Sequence, residues 1–356
     1  MTAEMEGENE SASTPAAWHA AAPPDLAPIN RYGRRRIRGF EDFVAIRPIG
    51  SGYSNPTYRV DTASGGAQVL RAMPARRSAM SAHRIDREYR VINALRGSAV
   101  PVPRPIHYCD DAGPIGTPFY LMAYVPGPVF VDGDLPDDPA ARRRIYLALA
   151  ECLGRLHAAD YRALGLSGFG MRSGDTHFER QVATMTRLYR DTEMGHEPVM
   201  ERLIALLGST VPAGYTTCLV HGDFRLGNMV VRPDLSGIAA VLDWELSTLG
   251  DPLTDVGYCT LMYHWDSPVF GTVIGAGEGI PEEGEFLETY CRMAGRSGLP
   301  DLSLYQAFSL FRLACITQAA LHREAVGQAL ARPLPLENHP ASVAKLALDL
   351  AERSRR

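Results

Sequence analysis

Asp223, Asn228 five residues on, and Asp243 at the end of the next apolar run stand at a spacing that suits phosphoryl transfer. The first two lie in Leu219-Val220-His221-Gly222-Asp223-Phe224-Arg225-Leu226-Gly227-Asn228, a polar loop between two apolar stretches. Charge at such a junction needs a reason, because burying it without partners is costly. An acid on a loop, with an amide and a second acid at the far ends of a short hairpin, can converge on one point. Asp223 would then accept the proton of an acceptor hydroxyl. Asn228 and Asp243 would offer oxygens to magnesium, which takes few protein ligands and shares its shell with phosphates. Taken singly, His221 and Asp223 read equally well as a loop hydrogen-bond pair, and Asp243 as a helix cap. HGD-x4-N followed by an apolar strand ending in Asp is much more specific.

Periodicity supplies the elements that must hold these residues. Short strand-like runs occur at 44–48, 57–61 and 67–72, the first two separated by Gly50-Ser51-Gly52 and the last two by Ser64-Gly65-Gly66. Residues 81–96 carry Ile85, Tyr89, Ile92 and Leu95 at helical spacing, and two further strands are expected around His107 and over 119–125. After 126 the pattern becomes helical, with helices expected at 139–159, 176–207, 252–264, 283–295, 301–328 and 340–354. Strands at 217–221, 228–232 and 238–243 interrupt it around the polar loop. Residues 1–38 read as a flexible N-terminal arm, rich in Ala, Pro, Ser and Glu and ending in a basic entry segment at 31–38. Residues 39–126 form a strand-rich unit, and 127–356 a mainly helical one.

Composition narrows the chemistry. A chain of 356 residues with 46% hydrophobic and 22% charged residues has the make-up of a globular protein. Its net charge of −5 makes nucleic acid a poor partner, and no apolar run reaches the roughly 18–20 residues of a membrane span. The acidic start lacks the basic-then-apolar pattern of a secretory signal, so a cytoplasmic protein is expected. Six scattered cysteines without a CxxC pair argue against a zinc ribbon or a disulfide framework. Lys345 is the only lysine, so no Gly-Lys-Ser/Thr phosphate loop exists and any phosphate held by a cation is held mainly by arginine.

LVHGDFRLGN, VLDWE and the following Gly250-Asp251-Pro252-Leu253-Thr254-Asp255 resemble the aminoglycoside phosphotransferase and choline kinase-like superfamily. The likeness extends over roughly 43–330. The order SNPTY, VLR, DREYRV, GTPFY and HGDFRLGN is similar to the branch whose relatives are fused to, or encoded near, acyl-CoA dehydrogenases. This resemblance implies an α+β, bilobal, protein kinase-like fold with a small β-rich N-lobe for nucleotide and a larger, mainly helical C-lobe for catalysis and acceptor.

It implies further that Gly50, Ser51, Gly52, Ser54 and Asn55 form the loop over the nucleotide phosphates. Arg71 would replace the usual phosphate-binding lysine, with Glu88 as its ion-pair partner. Adenine would lie along the linker containing Met122 and Tyr124, residues that read equally well as plain core. Arg225 stands where it would neutralise charge on the transferred phosphoryl or else face solvent, and His221 is expected to orient the loop. Asp251 is expected to cap the helix after Pro252, and Asp255 to brace the loop.

The activity so implied is magnesium-dependent transfer of the γ-phosphoryl of ATP (or GTP) to a hydroxyl of a small metabolite. The dehydrogenase-linked likeness points to a hydroxylated acyl or carboxylate acceptor. The alternatives are an aminoglycoside-type kinase and a non-catalytic nucleotide-binding protein of the same fold. A metal-dependent hydrolase is disfavoured, since no second histidine lies at metal-ligand spacing. The oligomeric state is open.

Overall fold

The computed structural model describes residues 23–49, 55–74, 85–130, 135–170, 176–210, 212, 216–265, 278–327 and 339–353. Helix α1 (Leu26–Arg36) leads into strands β1 (Phe43–Pro48), β2 (Thr57–Thr62) and β3 (Ala67–Ala72). Helix α2 (Ile85–Leu95) and strands β4 (Pro105–Cys109) and β5 (Phe119–Ala123) complete the N-lobe. Its single antiparallel sheet has the order β1-β2-β3-β5-β4.

Side chains alternate across a sheet, and that alternation sorts this one into two faces. Leu70 and Ala72 of β3, with Phe119 and Leu121 of β5, pack with Ile29 of α1. Val69, Tyr120 and Met122 point the other way and join α2 and the C-lobe core. Arg71 follows the same alternation and takes its place on the second face, toward α2.

The expected arm at 1–38 therefore needs correction over its described part. Asp25 caps α1 by accepting the Ala27 N–H at 3.0 Å, and Arg34, Arg35 and Arg36 fall in the last turn, where cations suit a helix end. Asn30 locks the helix to β1 through two hydrogen bonds of 2.9 Å with the Phe43 backbone. Without α1 the Leu70–Phe119 face would meet water. Residues 1–22 lie outside the described residues.

The C-lobe runs through α3 (Pro139–Ala158), α4 (His177–Asp191), α5 (Pro198–Gly208), β6 (Cys218–Val220), β7 (Met229–Val231), β8 (Ile238–Val241), β9 (Thr248–Gly250), α6 (Leu253–Cys259), α7 (Glu283–Ala294), α8 (Ser303–Ala325) and α9 (Pro340–Arg353). The one long helix expected over 176–207 is two. A Thr176/Glu179 capping box starts α4, and Pro198, with no N–H to give to a preceding turn, restarts the helix as α5 behind Glu197. The β6–β9 and β7–β8 pairs flank the polar loop. At three residues each, β6 and β9 are too short to show alternation. All six cysteines are free, five of them buried, and no described helix is long and apolar enough to cross a membrane.

Candidate active site

The loop after β6 is gripped from several sides. Asp255, on the first turn of α6, accepts the His221 N–H at 2.6 Å and the Gly222 N–H at 2.8 Å. His157 of α3 reaches the same carboxylate through Nε2 at 3.3 Å, and its Nδ1 meets the Tyr290 hydroxyl at 2.9 Å. Burial pushes the Asp255 carboxyl up, but the His157 contact and the histidine and amide neighbours leave it below the usual aspartate value. Gly222 has φ +84°, and a β-carbon there would sit 2.9 Å from the Leu246 carbonyl oxygen. The turn requires glycine on both counts.

His221 is fully buried against the Trp244 ring, with ring centroids 4.7 Å apart. Its Nδ1 accepts the Asp223 N–H at 3.2 Å, while Nε2 donates to the Leu242 carbonyl at 2.9 Å. The partners thus fix the tautomer, and the ring ties the loop to the segment carrying Asp243. Asp251 accepts the Leu253 N–H at 3.0 Å, as a helix cap does, and also the Tyr305 hydroxyl at 2.9 Å.

Asp223 and Asn228 come together. The Asn228 Nδ2 donates to both the main-chain oxygen and Oδ2 of Asp223, each at 2.8 Å. Arg225 Nε lies 3.6 Å from the same Oδ2. Burial pushes the Asp223 carboxyl up; the charges of Arg225 and Arg312 and the Tyr258 hydroxyl outweigh it and hold the group below its ordinary value. The Asn228 carbonyl then accepts the Leu242 N–H at 2.8 Å, so the loop runs directly alongside the residue before Asp243.

A second cluster gathers around Arg71. Its Nε donates to Glu88 at 2.9 Å, its Nη2 to Asp243 at 2.6 Å and its Nη1 to Thr57 at 3.2 Å, with Glu245 at 3.7 Å. Arg71 is 8% exposed and Glu88 1%. Burial alone would favour uncharged forms; the surrounding carboxylates keep the guanidinium firmly protonated. Burial and the nearby Asp243 and Glu245 charges push the Glu88 carboxyl upward against the pull of Arg71. Asp243 has φ +64° and ψ +61°, a left-handed conformation that a β-carbon resists and that recurs at functional sites.

Asn55, buried, donates to Glu245 at 3.4 Å. Met122 lies on the Arg71 face of β5, and Tyr124 beyond it carries the Arg59 guanidinium 4.4 Å over its ring. Gly50, Ser51, Gly52 and Ser54 lie outside the described residues.

The donor set fits magnesium. Both contacts of the Asn228 amide nitrogen go to Asp223, which leaves Oδ1 without a hydrogen bond among the described residues. That oxygen and the part-exposed Asp243 carboxylate are hard donors of the kind this ion prefers. Among the described residues, the only three histidine and acid side chains with ligand atoms within 4.8 Å of one another are Glu193, His196 and Glu201, at the α4–α5 connection.

Residues 45–305 match the model of the phosphotransferase enzyme family. The chain belongs to that family. Members of that family transfer phosphate to hydroxyl groups of small molecules. Mouse acyl-CoA dehydrogenase family member 10 is 42% identical over 310 residues, covering 85% of this chain and 29% of the relative. The chicken family member 11 is 38% identical over 92% of this chain and 43% of its own length. The chain thus spans less than half the length of these curated relatives.

A solved Ralstonia eutropha structure provisionally described as an aminoglycoside phosphotransferase is 34% identical, with a TM-score of 0.81 over 93% of this chain and 99% of that one. The GDP complex of an aminoglycoside 2′-phosphotransferase, 18% identical with a TM-score of 0.56, covers 88% and 93% and shares the fold.

Two residues at the family's loop escape sequence reasoning. Tyr258 donates its hydroxyl to Asp223 Oδ1, and Arg312 donates to the Gly222 carbonyl. They lie 35 and 90 positions from their partners, with no motif to flag them. The available signal is the spacing of Tyr258 three residues after Asp255, which puts both on one side of α6.

Proposed function

We propose that the chain transfers the γ-phosphoryl group of ATP (or GTP) to a hydroxyl of a small hydroxy acid or hydroxyacyl compound. The observation that carries this reading is the meeting of two clusters across Leu242, with Asp223 and Asn228 on one side and Asp243 and Arg71 on the other. The acceptor oxygen bonds to the γ-phosphorus as the bond from that phosphorus to the β–γ bridging oxygen breaks. Nucleoside diphosphate leaves with the electron pair, and the hydroxyl proton passes to the Asp223 carboxylate. Such a transfer needs little covalent help, so orientation and charge carry the rate.

Asn228 and Asp243 would hold magnesium, which when bound supplies positive charge to the phosphates. Arg71 orients the phosphates from β3, Glu88 holds Arg71, and Arg225 offsets charge on the phosphoryl group. Asn55 faces the phosphates; Met122 and Tyr124 line the adenine. Residues 39–126 thus serve the nucleotide, and 127–356 carry the catalytic loop and the acceptor site.

For the acceptor class, two observations favour an anion. The curated relatives carry acyl-CoA dehydrogenase names, and Arg225 and Arg312 both stand near Asp223, where a polycationic aminoglycoside would be repelled. The feature favouring a non-catalytic nucleotide binder is the missing lysine, and the Arg71–Glu88 pair made from β3 weakens it.

A panel of hydroxy acids, hydroxyacyl-CoA esters, aminoglycosides and choline, scored by ADP formation from magnesium–ATP, tests the reading. Turnover on the first two classes is expected, and its loss in Asp223→Asn with ATP binding retained. Near wild-type turnover in that variant would sink the assignment.

A further inference from the structure

Helix α6 does two jobs on the catalytic loop, and only one concerns the main chain. Asp255 takes the two loop amides, while Tyr258, one turn later, reaches the Asp223 side chain. All seven residues of α6 are buried, so the helix is a fixed support rather than a mobile flank. From α8, Arg312 donates to the Gly222 carbonyl and sets its guanidinium 5.3 Å over the Tyr258 ring, within cation–π range. Amides, carbonyl and carboxylate of residues 221–223 are thereby each held by a different group.

The division of Asp223's oxygens has a chemical consequence. Oδ1 receives the Tyr258 hydroxyl and Oδ2 the Asn228 amide. An ionised carboxylate offers about four lone-pair directions, so two donors fix its rotation and leave the others for an acceptor hydroxyl. Tyr258 itself is no rival base. Burial, and then the Asp223 charge, push its phenol well above the ordinary tyrosine value, so it stays a donor. A phenylalanine would fill the same space; the hydroxyl is what packing alone does not explain.

We propose that Tyr258 is a positioning residue of phosphoryl transfer, its hydroxyl holding the Asp223 carboxylate in the orientation that accepts the acceptor's proton, with Arg312 seating the phenol. This rests on the kinase reading above. The hydrogen bond turns the carboxylate without taking part in bond making, so its loss affects the rate of the step and not the capture of nucleotide.

The test compares full-length wild type, Tyr258→Phe and Arg312→Lys by ADP formation from magnesium–ATP, with and without the hydroxylated panel. Thermal unfolding and ATP affinity are measured on the same samples. Tyr258→Phe is expected to lower kcat roughly 10- to 100-fold, as misplacement of a reacting group does, with KM for ATP within about twofold on the same ground. Arg312→Lys, which keeps the charge but not the planar stack, should lose rate in the same sense and to a smaller degree.

An active wild type with Tyr258→Phe turning over at the same kcat overturns the inference alone. So does a loss of kcat matched by an equal loss of ATP affinity, which marks a structural role. Should Tyr258→Phe not fold, an unchanged kcat in Arg312→Lys overturns it instead. A wild type that binds magnesium–ATP but never turns over, with any acceptor or with water, removes the kinase reading and this inference with it.

Discussion

The cluster around Arg71 and the cluster around Asp223 are built on opposite charge logic. In the first, three carboxylates (Glu88, Asp243, Glu245) face one guanidinium, with Glu88 almost fully buried. In the second, one carboxylate is set among two arginines and held by neutral donors from Tyr258 and Asn228. A surplus of negative charge suits the arrival of a divalent cation, and a surplus of positive charge suits an anionic phosphoryl group and acceptor. The difference teaches that, in the proposed reaction, placing the nucleotide and receiving the proton would be tasks with separate supports. They meet at Leu242, whose N–H and C=O bind Asn228 and His221.

The hardest blow to this comparison is Asp223→Asn. Removing the proposed general base should cost roughly 10²–10⁴-fold in kcat while ATP binding, followed by thermal shift, stays intact. Next is Arg71→Met, which strands the buried Glu88 carboxylate. Breaking one side of such a pair costs about 3–5 kcal/mol, read by denaturant unfolding, and KM for ATP should rise with it. In that background Glu88→Leu should recover part of the stability without recovering nucleotide affinity, which separates the folding and binding uses of the pair. Gly222→Ala tests the loop between the clusters: the positive φ and the Leu246 carbonyl predict a loss of about 1–3 kcal/mol. Its kcat should fall further than its ATP affinity. The smallest effect belongs to a site remote from both clusters, Asp25→Ala, which removes the α1 cap for about 1 kcal/mol in thermal unfolding and leaves kcat and KM unchanged.

Much of this was legible locally. Strands β1 to β3, α2 and α3 follow from alternation and helical spacing within each segment, and HGD-x4-N with Asp243 marks the site because its members lie within 23 positions. The misses have different causes. α1 shows its use only once the Leu70–Phe119 face needs a cover, and its apolar stripe is short amid arginines. The break between α4 and α5 turns on Pro198 and the Glu197 cap, which a window of apolar spacing passes over.

Residue types and order by themselves pointed to the family, to a strand-rich and a helical part, to Asp223, Asn228 and Asp243 as candidate site residues, and to arginine as the main cation available to a phosphate. Periodicity and motif spacing are short-range properties, so a single chain displays them. Only the tertiary structure decided that Arg71 reaches Asp243 as well as its expected partner Glu88, that His221 ties the loop to Leu242, and that Tyr258 and Arg312 complete the setting of Asp223. Those contacts join residues from 17 to 172 positions apart, and they arise from packing, where direction and burial, not spacing along the chain, choose the partner.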